Sequence, residues 1–196
     1  MIWINMATGF MGAWTLWFLA RSAMRKLGWV PHQAVFFSPK GGCETAALQE
    51  IKTARHEILV QAYSFTADPL TLALVEAKKR GVNVEVILDK SNEIERYSEL
   101  HVFLEHGLAP LIDANHPIAH NKIMVIDKRT IITGSFNFTN QAENENAENL
   151  LILKGHPELV TLYRQNFMTH KAHSKAAVIK AAVDKRAEHA KKAVAA

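Results

Sequence analysis

From Val35 onward, short apolar runs alternate with stretches whose apolar residues recur every three or four positions, the rhythm of an α/β domain. Val35–Phe37, Ile58–Tyr63, Val84–Leu88, Ile123–Ile126, Thr130–Thr133 and Asn149–Leu153 read as strands. Val84–Leu88 is nearly continuous in its apolar character, as befits a strand covered on both faces. Between them, Cys43–Ala54 reads as a helix with Ala47, Leu48 and Ile51 on one face. Asp68 reads as the N-cap of a second helix, with Pro69 first inside it and Lys78, Lys79, Arg80 and Gly81 closing it. Ile94–His106, stopped by Gly107, reads as a third helix, and Pro157–His170 as a fourth that turns Leu159, Leu162, Tyr163 and Phe167 inward. The expected fold is a mixed β-sheet flanked by helices, preceded by an N-terminal hydrophobic helix. The expected division is an N-terminal segment over 1–30, one main domain over 31–170 and a basic Ala/Lys-rich tail over 171–196.

Ile2–Ala20 contains no charged residue, carries Trp3, Trp14 and Trp17, and is followed by Arg21, Arg25 and Lys26. As one helix it would extend about 28 Å, close to the hydrocarbon thickness of a bilayer. A secretory signal would carry its positive charges before the apolar stretch. Here they come after it, which favours an uncleaved single-pass anchor with the body on the cytoplasmic side. The expected location is the bacterial inner membrane, or the periplasm if the segment acts as a signal peptide.

At 196 residues and 48% hydrophobic content, the chain suffices for one domain with a substantial core. The net charge of +4 is uneven: Lys154–Ala196 holds nine Lys/Arg against three acidic residues. That tail suits nucleic acid or anionic lipid, and equally a solvated helix face. Cys43 is the sole cysteine, which excludes an internal disulfide and a cysteine-rich metal site.

One run carries chemistry: His120, Lys122, Asp127, Gly134, Ser135 and Asn137, spaced H-x-K-x4-D-x6-G-S-x-N. In an extended segment His120 and Lys122 point the same way, and Ser135 and Asn137 repeat that spacing after the next strand. Two strand ends would so present an imidazole, an ammonium, a hydroxyl and an amide to one phosphate, with Gly134 allowing close approach of the backbone. A neutral imidazole can attack phosphorus while a second, protonated one donates to the leaving oxygen, so the reaction needs two histidines. Lys122, Ser135 and Asn137 would offset the charge that builds on the phosphate. His173, Ser174 and Lys175 imitate H-x-K, but Lys180 stands where the aspartate belongs and no G-S-x-N follows. His116 and His120 have H-x3-H spacing, yet Pro117 and a missing glutamate argue against a helical zinc site, and neither metal nor cofactor is expected.

The run resembles the HKD signature of the phospholipase D superfamily. The stretches F-F-S-P from Phe36, A-Y-S-F-T-A from Ala62, A-K-K-R-G-V from Ala77, H-N-K-I-M-V-I-D from His120 and T-G-S-F-N-F-T from Thr133 are similar to those of its small single-motif bacterial endonucleases. The resemblance implies a homodimer with its site across the interface and a phosphohistidine intermediate formed without metal. It assigns His120 as nucleophile in one subunit and general acid in the other, Lys122 and Asn137 as phosphate binders with Ser135 beside them, and Glu148, in A-E-N-L-L-I-L, as the carboxylate that orients the histidine. Asp127 is expected to support the site rather than touch phosphate. Three functions follow: a non-specific endonuclease acting on DNA or RNA, with Lys40, Lys78, Lys79 and Arg80 as candidate backbone contacts; a phospholipase D acting on membrane phospholipid headgroups; and a membrane-tethered nucleic-acid-binding protein without turnover.

Overall fold

The structure is a computed structural model that describes residues 14–25, 29–95 and 97–177. Its centre is an eight-stranded sheet in the order β1-β7-β6-β5-β2-β3-β4-β8, with β1 His32–Phe37, β2 Glu57–Ala62, β3 Asn83–Asp89, β4 Leu111–Asp113, β5 Lys122–Ile126, β6 Thr130–Gly134, β7 Asn149–Lys154 and β8 Lys175–Ala176. The β2–β3 and β3–β4 pairs are parallel and the other pairs antiparallel, so the expected mixed sheet is present. Helix α1 spans 14–25, α2 Cys43–Thr53, α3 Asp68–Lys79, α4 Leu100–Glu105, α5 Asn140–Asn144 and α6 Pro157–His173.

Period-two alternation divides each central strand between two cores. Ile58, Val60, Ala62, Met124 and Ile126 pack with α2, α3 and α4, through Ala47, Ile51, Leu70, Leu74 and Phe103. Leu59, Ile87, Ile123, Val125 and Ile131 pack on the other side with Val160 and Phe167 of α6. Complete burial of each of these large side chains is worth about 1.5–3 kcal/mol, which fixes the strand register.

Several expected boundaries shift for identifiable reasons. Asp68 is the first residue of α3, whose N-cap is Ala67 and makes no side-chain cap. The helix expected over Ile94–His106 is cut short. Asp89 accepts from Ser91 N at 2.9 Å and caps a 3-10 turn over Lys90–Glu93, and buried Asn92 donates to the Tyr63 and Asp89 carbonyls and pairs with Ser98. Only Leu100–Glu105 remains α-helical. Helix α6 turns Val160 and Phe167 inward, while Leu159 is 38% and Leu162 60% exposed, against the expectation for those two leucines.

The N-terminal helix is described only over 14–25, where it runs past Ala20 through Arg21 to residue 25; the rest of the expected anchor, 2–13, lies outside the described residues. Among the described residues no helix is long and apolar enough to cross a membrane. The tail from residue 178 also lies outside them.

Candidate active site

The strand directions gather the motif at one end of the sheet. The carboxyl ends of β1, β2, β3, β4 and β6 meet there with the amino ends of β5 and β7. This is where ligands bind in open α/β sheets. His120 precedes β5, Lys122 begins it, Ser135 follows β6, and Glu148 precedes β7. His120, Asn121, Lys122, Ile123, Thr133 and Gly134 line an open cleft of about 400 Å³, with Leu162, Tyr163 and Asn166 of α6 forming its opposite wall.

The His120 imidazole is exposed and packs on Tyr63, ring centroids 4.6 Å apart at 51°. No hydrogen bond holds its ring nitrogens among the described residues. Lys122 is buried, with Nζ 5.1 Å from the centre of the Tyr63 ring, and it donates to the His120 carbonyl at 2.9 Å. An ammonium has three donors, so this bond leaves others for a ligand. Burial pulls the Lys122 pKa down from its ordinary value, and the charge of Glu148 partly restores it. Tyr63, one residue beyond β2, thus touches both motif residues. Its part depends on the pairing Ala62↔Lys122 between β2 and β5, which the sequence alone does not display.

Ser135 and Asn137 lie in the segment leaving β6, between and beside Phe136 and Phe138, each 1% exposed. Phe138 pairs with Phe65 in an isolated bridge, and Phe65 stacks on Phe138 and Phe103 at 5.4 and 5.3 Å. These aromatic anchors fix where Asn137 stands. Asn137 Oδ1 is buried with no partner among the described residues, a position whose desolvation costs about 1–3 kcal/mol until something bonds to it. Turning the amide over would put a donor there instead. Ser135 Oγ accepts from Asn149 N at 3.1 Å and Nδ2 at 3.2 Å, so its hydroxyl is anchored to β7 with its own proton left to donate.

Gly134 has a different reason for being glycine than the expected approach to ligand. At φ 143°, a Cβ there would lie 2.3 Å from the Asn149 carbonyl oxygen, so the residue is required by contact with β7.

The three acids between positions 143 and 148 separate clearly. Glu143 accepts from Gly42 N and Glu44 N at 3.2 and 2.9 Å and caps α2. Glu145 is exposed. Glu148 accepts from Asn146 Nδ2 at 3.3 Å, and its charge acts on Lys122. Among the described residues no hydrogen bond joins Glu148 to His120 of the same chain. Asp127 lies at the far end of β5, in the turn to β6, and accepts from Arg55 N, His56 N and Glu57 N at 2.9, 2.7 and 3.0 Å. It clamps the α2–β2 connection and stands apart from the cleft.

Of the candidate phosphate-backbone contacts, Lys78, Lys79 and Arg80 end α3 at that same far end and are engaged locally: Lys78 with the Gly107 carbonyl, Lys79 with Glu76 at 2.8 Å, and Arg80 with the Ile51 carbonyl at 3.1 Å. Lys40 is exposed close behind β1, on the side of the site. Cys43 is buried, and burial first, then Glu143 and Glu148, push its thiol up to about 11, which leaves it unreactive.

His116 does not join His120. It turns to Asp113, where His170 and His173 of α6 also converge.

Residues 47–171 match the family described as "Cardiolipin synthase, PLD-like domain". Phospholipase D of Rickettsia bellii (strain RML369-C) is 41% identical over 138 residues, covering 70% of this chain and 68% of that protein. Mitochondrial cardiolipin hydrolase of Mus musculus is 31% identical over 120 residues, covering 61% of this chain and 54% of that protein. The crystal structure of Nuc from Salmonella typhimurium, titled a phospholipase D family member, superposes with a TM-score of 0.72 at 34% identity, covering 75% of this chain and 98% of Nuc. NucT from Helicobacter pylori gives 0.69 at 19% identity, covering 75% and 99%, a likeness of fold.

Proposed function

This chain belongs to the phospholipase D superfamily and is a phosphodiester hydrolase, and we propose that it acts as a metal-independent, non-specific endonuclease whose site is completed by a second copy of the chain. One observation carries the reading: His120 lines an open cleft, exposed and with no hydrogen bond to its ring among the described residues, beside the buried ammonium of Lys122. A nucleophile must be free to reach phosphorus, and a desolvated cation beside it acts far more strongly on the phosphate than an exposed one.

In the proposed reaction the neutral imidazole of one His120 attacks phosphorus, and the P–O bond to the leaving group breaks. The imidazolium of the second copy's His120 gives the leaving oxygen its proton. Water, deprotonated by that second imidazole, then hydrolyses the phosphohistidine and frees the first. Lys122, the Ser135 hydroxyl and the Asn137 amide hold the non-bridging oxygens as charge accumulates. The assignment of Glu148 as the group orienting an imidazole then falls on the second copy's histidine, since among the described residues no hydrogen bond joins it to His120 of its own chain. Exposed Leu159 and Leu162 on α6, beside the cleft, give the pairing an apolar surface.

Nucleic acid suits an open cleft with Lys40 on the side of the site, where backbone contacts need no base recognition. A phospholipid headgroup is the second reading. The names of the Rickettsia and mouse relatives favour it, and a membrane anchor over Ile2–Ala20 would bring the site to such a substrate. The test is side-by-side hydrolysis of DNA, RNA and phosphatidylcholine or cardiolipin vesicles, with initial rates taken soon after adding EDTA. Cleavage of nucleic acid in chelator supports the endonuclease, and turnover confined to vesicles overturns it.

A further inference from the structure

A second site lies at the same end of the sheet, and no step of the phosphodiester chemistry uses it. Asp113, the last residue of β4, has a fully buried side chain, and three imidazoles surround it. His116 Nδ1 lies 3.1 and 3.0 Å from the two carboxylate oxygens, His170 Nδ1 2.7 Å from Oδ2, and His173 Nε2 3.3 Å from Oδ2. The ring centroids are 4.9, 5.2 and 5.4 Å apart. One donor atom from each of the four residues falls within 4.8 Å of every other.

We propose that Asp113, His116, His170 and His173 form a structural binding site for one zinc-like divalent ion, which locks the end of α6 to the segment leading into His120.

Hydrogen bonding alone does not complete this cluster. His116 and His170 both bond to Oδ2, and Asn115 N also occupies Oδ1 at 3.1 Å. The Nε2 of His173 is then buried with no hydrogen-bond partner among the described residues, although the carboxylate is only 3.3 Å away. A cation at the centre would bond all three nitrogens and one carboxylate oxygen. Tetrahedral zinc with bonds of about 2.0–2.2 Å sets its ligand atoms roughly 3.3 Å apart, so small side-chain rotations close the cluster. Three imidazoles select zinc or a neighbouring transition metal over calcium or magnesium, which take oxygen ligands. Four protein ligands leave no open position, which makes the ion a clamp rather than a catalyst.

The ligand pairs explain what would be clamped. His170 and His173 are three apart and share one face of the last turn of α6, directly before β8 pairs with β4. Asp113 and His116 begin the loop that ends at His120. That loop is held at two further points, Lys90 Nζ to the His116 carbonyl at 3.1 Å and Ala119 N to Asp89 Oδ2 at 2.7 Å. The ion would add the third restraint, making these four positioning residues for the nucleophile.

The experiment reads metal rather than activity, so it is independent of the substrate question. The full chain is stripped with chelator, then titrated with Co²⁺ and with Zn²⁺. The expected result is one equivalent bound, the strong visible absorption of four-coordinate cobalt displaced by zinc, and a zinc-dependent rise in Tm of ~5–10 °C. His116→Ala, whose side chain is partly exposed, and His170→Ala should lose the cobalt absorption and the Tm rise, while His120→Asn keeps both. No cobalt absorption from the folded wild-type chain, or an unchanged spectrum in His116→Ala, overturns the proposal.

Discussion

Lys122 is tied to His120 through the backbone, its Nζ donating to the His120 carbonyl at 2.9 Å, while the ring of Tyr63 lies against both side chains. The cation therefore holds the main chain of His120, the nucleophile of the proposed reaction, and among the described residues leaves its imidazole without a hydrogen bond. The two residues do different work, and their replacements should behave differently.

His120→Asn should lower kcat by ~10⁴-fold or more, because the proposed reaction draws both attack and proton transfer from this residue. The side chain is exposed and contributes little to packing, so Tm should stay within about 1 °C of wild type. Turnover and thermal unfolding measured on one preparation check both halves.

Lys122→Met should lower kcat by about 10²–10³-fold, the usual cost of removing one preorganised group that stabilises transition-state charge. Its effect on folding should be small or favourable, since it replaces a desolvated ammonium with an apolar side chain of similar length. A large fall in Tm with unchanged kcat would reverse the assignment.

Asp127→Ala should do the opposite. Three backbone N–H groups lose their acceptor at the α2–β2 connection, a loss of about 2 kcal/mol that lowers Tm by ~4–8 °C. Well below the new Tm, kcat should remain within about 3-fold of wild type.

Glu99 gives stability a pH dependence away from the chemistry. Burial, then the hydrogen bond and charge of Asp68, push its carboxyl up from 4.5 to about 7. The folded state thus holds a proton that the unfolded chain releases above about 4.5. That contribution is complete below pH 4.5 and disappears as the pH rises through 7. Glu99→Gln, which mimics the protonated acid, should shrink the difference in unfolding free energy between pH 5 and pH 8 by on the order of 1 kcal/mol, read as a smaller gap in Tm.

Mixing tests the shared site. If each site needs an imidazole from both copies, wild type co-expressed with an equal amount of His120→Asn should retain about one quarter of the activity expected for all-wild-type pairs. Independent sites would retain about one half.

Much of this was legible in advance. Ile58–Val60 and Val84–Leu88 announce buried strands by apolar runs, and the spaced run from His120 is legible as a unit, although only its members His120, Lys122 and Gly134 line the cleft and Asp127 falls at the opposite end of the sheet. Leu111–Asp113 gives no comparable signal, since a three-residue strand has too few positions to show a period. Helix α4 is shorter than the apolar pattern predicts because the Ser98 hydroxyl accepts from Leu100 N, a group that a longer helix would pair with a carbonyl four residues back. The orientation of α6 is set by where the sheet lies, so Leu159 and Leu162 look like core residues until the packing is known. The Asp113 cluster is hidden for the same reason: His170 meets Asp113 across 57 positions of chain.

Strands β1 and β8 lie at opposite margins of the sheet. Seven spacings of about 4.8 Å separate them, roughly 34 Å. Fluorophores placed on the two outermost strands would therefore form a fixed molecular ruler whose reading changes only if the sheet itself comes apart.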